Sequence, residues 1–156
     1  MNKHQTSRGD VSQDDQPNVA IVVVGFDGSS GAMAALRWAY GEARLRKAPL
    51  RVIHAISSFN SYPSIAVDVG AIHQHAAELL DTAVREVAGD DQIDGIERLL
   101  FDGSAAKVLV TAVHDNDLLV VGSRGHGGFA GLLLGSVSQQ CIQHAPCPVV
   151  VIRHDS

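Results

Sequence analysis

LLVVGSRGHGGFAGLLLGSVSQQ, residues 118–140, passes from an apolar run through a glycine-rich loop into a helix-like run. Six of its 23 residues are glycine. Leu118 to Val121 reads as a short strand buried on both faces, and a helix is expected from about Ser136 to His144. A strand that enters a helix through glycines presents free backbone N–H groups at the helix N-terminus. Such a point attracts anions, and glycine lets the backbone approach them without a Cβ in the way.

Outward from this stretch the chain alternates between two kinds of segment. Val19 to Gly25, VAIVVVG, is a β-branched run that suits a strand inside a parallel sheet. Asp27-Gly28-Ser29-Ser30 is turn and N-cap chemistry, and a helix follows to about Lys47 with Ala32, Ala35, Leu36, Ala39 and Ala43 on its apolar face. Leu50 to Ile56 is a second strand, and Ser57 to Val69 a longer loop. Gly70 to Ala88 is a second helix. Ile93 to Phe101 is a weaker strand whose charges suit an edge. Ser104 is a candidate cap for a third helix to His114, and PVVVIR (148–153) closes the series as a last strand. The order βαβαβαβαβ predicts one α/β domain: an open parallel sheet with helices on both faces.

Composition narrows the function. The 156 residues suit a single core, and 46 % hydrophobic with 19 % charged content is a globular balance. A net charge of −5 disfavours nonspecific nucleic-acid binding, which leans on Lys and Arg. The two cysteines, Cys141 and Cys147, have no metal-knuckle spacing and fit a reducing, cytoplasmic setting. No apolar run has the length to span a bilayer. Residues 1–17 are polar, lack the apolar segment of a signal peptide and are expected to form a disordered tail ahead of a domain over 18–156.

In open parallel sheets, ligands bind beyond the carboxyl ends of the strands, where strand order reverses. Two loops are equipped for this: Gly25 to Ser30 after the first strand, and the stretch after the fourth. A P-loop is excluded, because no Lys follows the glycines. Gly125-His126-Gly127-Gly128-Phe129-Ala130 matches a loose dinucleotide pattern, but too late in the chain and without a following βα unit. The spacing that fits is Gly122-x2-Gly125-x9-Gly135-Ser136.

With that spacing, with Val22-Val23-Val24-Gly25-Phe26-Asp27-Gly28-Ser29 at the front, His54-Ala55 at the second strand and Pro146-Cys147-Pro148-Val149-Val150-Val151 near the end, the chain resembles the universal stress proteins, in particular their ATP-binding branch. The resemblance covers about Asn18 to Arg153. It implies a Rossmann-like five-stranded sheet in the order 3-2-1-4-5 and a nucleotide site between the first and fourth strands. Carried over by position, Asp27 lies by the ribose and phosphates and helps hold a divalent metal such as Mg2+. Ala55 meets adenine through its backbone. Gly122 and Gly125 line the ribose and phosphate path, and Gly135, Ser136 and the N–H of Val137 hold the outer phosphates of ATP. The resemblance also implies a homodimer through the last strands and regulatory protein partners not legible in the chain.

Plainer readings stand beside these. Asp27 is a candidate cap of the first helix, and Ser136 of the fourth. Arg124 is as good a solvated loop residue as a phosphate partner. His54 is expected to be a satisfied strand-end histidine, and His73 and His75 point to different helix faces and make a poor metal pair. With no Lys in the phosphate loop and no clear base, turnover of ATP is not the expected purpose; a sensor or switch is. Slow hydrolysis or self-phosphorylation, cyclic-nucleotide binding, and a dimeric scaffold without nucleotide remain the alternatives.

Overall fold

A computed structural model of the chain describes residues 19–57, 68–126 and 131–154. The tail expected over 1–17 and most of the loop expected between the second strand and second helix lie outside the described residues. Strands β1 (Val22–Gly25), β2 (Leu50–Ile56), β3 (Ile96–Asp102), β4 (Leu118–Gly122) and β5 (Val149–Ile152) form one sheet. All its neighbours pair in parallel, in the order β3-β2-β1-β4-β5. Helices α1 (Ser30–Arg46), α2 (Val69–Ala88), α3 (Ala105–Thr111) and α4 (Ser136–His144) are the crossovers.

The two-residue period of the strands divides the core into two layers. Val22, Val24 and Val120 pack with Ala35, Leu36 and Ala39 of α1 and Leu80 and Val84 of α2. Val23, Leu119 and Val121 pack on the other face with Leu109 and Cys141 of α3 and α4. β1 lies at the centre of the sheet, which is why its valines are buried on both sides. Burying a side chain of this size contributes roughly 1.5–3 kcal/mol.

Local chemistry sets the helix ends. The Ser29 hydroxyl accepts from the Ala32 N–H at 3.2 Å and starts α1. Lys47, at φ 55°, stops it in the left-handed conformation. Asp68 caps α2 by accepting from the Ala71 N–H at 3.1 Å.

Three local expectations are corrected. The strand expected from Ile93 begins at Ile96, because Asp90–Gly95 forms a 3-10 turn that buries Ile93 alone. The third helix ends at Thr111 rather than His114. Buried Asp117 accepts from the His114 N–H at 2.8 Å and the Ile21 N–H at 3.0 Å, holding the chain off the helix. Ser104 occupies the cap position of α3 without a side-chain cap bond.

Candidate functional site

β1 and β4 are neighbours, but their chains leave toward different helices, so the strand order reverses between them. Over their carboxyl ends lies a cleft of about 390 Å³, within the rough 300–1,000 Å³ range of small-molecule sites. A second cavity of equal volume lies at the amino ends, near Val19 to Val22 and Leu118. Size does not distinguish them; chemistry does. The first is reached by the N-terminal turn of α4 and both glycine-bearing loops. All seven residues singled out from the sequence line it: Asp27, Ala55, Gly122, Gly125, Gly135, Ser136 and Val137.

The cleft has two chemical ends. Ile53, Ala55, Leu109 and Val121 supply an apolar part, from the side of the sheet covered by α3 and α4. The β4–α4 loop and the first turn of α4 supply a polar part, where Arg124 and His126 stand. No side chain caps α4, so its first-turn N–H groups and positive dipole end are left for a ligand.

Asp27 is held by both loops. Its Oδ1 accepts from the Ser29 N–H at 2.9 Å and the Ser29 hydroxyl at 2.5 Å, and its Oδ2 accepts from the His126 N–H at 3.2 Å. Burial pushes its carboxyl pKa up, yet these hydrogen bonds and the nearby His126 outweigh burial and hold it below the ordinary 3.8. The cap of α1 is therefore Ser29, and Asp27 braces that cap rather than forming it.

The glycines divide by what surrounds them. A Cβ on Gly122 would lie 2.9 Å from the carbonyl carbon of Gly31, and one on Gly125 would run into Oδ2 of Asp27. Both residues line the cleft with backbone, but the place of their side chains is filled by protein. At Gly135 the nearest atoms are 3.5 Å away, an ordinary contact.

Ser136 is the first residue of α4, with Gly135 at the cap position, so the expectation that its hydroxyl caps the helix is corrected. The residue that orders this junction is Ser138, which the sequence reading passed over. Its buried hydroxyl lies 2.9 Å from the Gly135 carbonyl and 3.1 Å from the Ser123 carbonyl. The Gly135 N–H donates to the same Ser123 carbonyl at 2.6 Å. The signal was a serine three residues after Gly135, where a helical hydroxyl can bond back one turn.

His54 behaves as a satisfied strand-end histidine: its Nδ1 lies 2.7 Å from the Phe26 carbonyl. A carbonyl only accepts, so Nδ1 carries the proton. His73 pairs with Asp102 at 3.0 Å, away from the cleft lining. The thiols of Cys141 and Cys147 are free and buried on the α3/α4 face. No cluster of three His, Cys, Asp or Glu suited to a metal occurs among the described residues. Oδ1 of Asp27 already accepts two hydrogen bonds and Oδ2 one. These residues do not fit a resident metal ion held by the chain alone; an ion carried in on phosphates would find one lone pair at Oδ2. No described helix is long and apolar enough to cross a membrane.

Comparison with known proteins agrees with this architecture. The chain is 36 % identical over 141 residues to universal stress protein Rv2623 of Mycobacterium tuberculosis, covering 86 % of this chain and 47 % of the relative. It thus spans about half the length of that relative. A solved universal stress protein in complex with cAMP is 29 % identical, with a TM-score of 0.59 over 86 % of this chain and 97 % of the other. The universal stress protein from Archaeoglobus fulgidus in complex with dAMP is 25 % identical, with a TM-score of 0.56 over 85 % and 97 %. The model of the universal stress protein family matches residues 19–153, so a parallel sheet, a glycine-lined cleft at its switch point and sequence kinship meet in one conclusion: the chain belongs to the universal stress protein family.

Proposed function

We propose that the chain binds ATP in the cleft between β1 and β4 and acts as a nucleotide-dependent stress-response sensor or switch. One observation carries the reading: the uncapped N-terminus of α4 faces a cleft whose other part is apolar. That polarity suits a base at one end and phosphates at the other. In this reading the backbone of Ala55 meets adenine, Gly122 and Gly125 border the ribose, and Ser136 and the Val137 N–H hold the outer phosphates, with Gly135, whose N–H is taken by the Ser123 carbonyl, letting them approach. Mg2+ arrives with the phosphates and is held by them, since the Asp27 carboxylate already accepts three hydrogen bonds.

The cleft holds a nucleotide rather than turning it over. Among the described lining residues there is no Lys, and the one carboxylate, Asp27, is bound by three donors. Binding stabilises the bound conformation by mass action, which is sufficient for a switch. The half-buried edge strand β5 provides the surface for a homodimer, in a cytoplasmic protein whose regulatory partners read the bound state.

A second reading has a specific support. The solved relatives at 29 % and 25 % identity hold cAMP and dAMP, so a monophosphate or cyclic nucleotide competes for the same cleft. Mass spectrometry of the small molecules released from denatured protein, followed by titration with ATP, AMP and cAMP, separates the two. ATP bound tightest is the expected result. Preference for cAMP would replace the ATP reading, and binding of none would leave a dimeric scaffold.

A further inference from the structure

The Asp27 carboxylate holds Ser29 in its own β1–α1 loop and also accepts from the His126 N–H in the β4–α4 loop, 99 residues further along the chain than Asp27. On one side it is anchored through Ser29, whose hydroxyl also caps α1. On the other it fixes the backbone of His126, two residues from Arg124, and both of these line the cleft. Hydrogen bonds to an ionised acceptor are the stronger kind. Gly125 stands between these two cleft residues, and a Cβ there would strike the same Oδ2 that receives the His126 N–H. The carboxylate thus faces the opposite loop at least as much as it faces the cleft.

We infer that Asp27 is a positioning residue that clamps the β1–α1 loop to the β4–α4 loop and so sets the width of the nucleotide cleft, and that residue 125 is glycine because this carboxylate occupies the place of its side chain. The inference rests on the nucleotide-binding reading above. It differs from a ligand role in what is lost with Asp27. A metal or phosphate partner serves only phosphorylated nucleotides, whereas a clamp serves every ligand that touches both walls, adenosine included.

The test is calorimetric titration of the full chain with ATP, AMP and adenosine, each with and without Mg2+. The variants are Asp27→Asn, Asp27→Ala, Gly125→Ala and the double variant Asp27→Ala/Gly125→Ala. Asparagine keeps the shape, but one side-chain oxygen cannot serve Ser29 and His126 together. If Asp27→Ala fails to fold, Asp27→Asn still carries the test, with hydrogen exchange at the His126 amide as a second measurement. Each single variant is expected to weaken all three ligands by a similar factor, about tenfold, with or without Mg2+. The double variant is expected to bind no more weakly than Asp27→Ala, because the space left by the carboxylate accepts the new Cβ. Exchange at His126 is expected to quicken in Asp27→Asn. A loss confined to ATP with Mg2+ would overturn the clamp in favour of a metal contact. Losses that multiply in the double variant would overturn the account of Gly125. Wild-type binding with unchanged affinity in every variant would remove the clamp alone, whereas a wild type that binds none of the three would remove the nucleotide reading itself.

Discussion

Gly122 and Gly31 meet backbone to backbone: a Cβ on Gly122 would lie 2.9 Å from the carbonyl carbon of Gly31 and 3.0 Å from its oxygen. The contact presses the first turn of α1 against the end of β4. Gly31 in turn faces the Arg124 carbonyl, which a Cβ on Gly31 would meet at 2.8 Å. Backbone cannot rotate aside as a side chain can. Gly122→Ala is therefore expected to destabilise the fold by about 1–3 kcal/mol through overpacking. Urea denaturation measures it. Unchanged stability with nucleotide binding abolished would instead mean that residue 122 is glycine for the ligand's sake.

Ser138 ties the first turn of α4 to Ser123, and the Ser123 N–H donates to the Ile152 carbonyl of β5 at 2.8 Å. In Ser138→Ala the two carbonyls keep backbone donors, from Gly135 to Ser123 and from Gln139 to Gly135. The stability cost should thus be modest, about 1 kcal/mol. The geometry of the α4 N-terminus should loosen, so ATP affinity is expected to fall more than adenosine affinity. Equal loss for both ligands in parallel titrations would argue against a role at the phosphates.

His73 lies on α2 with its Nδ1 2.8 Å from the Val69 carbonyl and its Nε2 3.0 Å from Asp102 at the end of β3. Both ring nitrogens face acceptors, so the doubly protonated ring is favoured. The hydrogen bond to the Val69 carbonyl does most to raise the His73 pKa above 6.5; desolvation opposes it, and the charge and hydrogen bond of Asp102 add to the rise. A raised histidine pKa means that the α2–β3 link is fully present below the unfolded value of 6.5 and is lost as pH rises through the folded value. Titration of the ring by NMR should place His73 above 6.5, and Asp102→Asn should lower it. A midpoint unmoved by Asp102→Asn would refute the pairing.

Cys141 is fully buried, and burial, aided by Cys147, pushes its thiol up to about 11 from 9.0. Between those values the native state keeps a proton that the unfolded chain has lost. This contribution to stability is therefore complete below pH 9.0 and fades as pH rises toward 11. Since the thiolate is the nucleophile, native Cys141 should resist iodoacetamide at pH 8 and react once urea unfolds the chain. Rapid labelling of the native protein would show that α4 opens locally.

By itself the sequence determined the class of fold and the two loops that matter. Runs such as Val22 to Gly25 and Leu118 to Val121 declare buried parallel strands, because β-branched and apolar residues without alternation suit a sheet covered on both faces. The glycine spacing from Gly122 to Ser136 marked one wall of the cleft, and Asp27 the other. The strand order came from family resemblance, not from any local pattern. Only the tertiary structure decided what each glycine is for. That Gly122 meets Gly31 and Gly125 meets Asp27 depends on two loops about 90 to 100 residues apart being brought side by side, and no local propensity encodes a contact at that separation. The same holds for Asp27, whose neighbours Ser29 and His126 make it a brace between loops. Ile93 failed as a strand start for a related reason: one apolar residue among Asp90, Asp91 and Asp94 is buried as well by a tight turn as by a strand, and packing against α2 selected the turn.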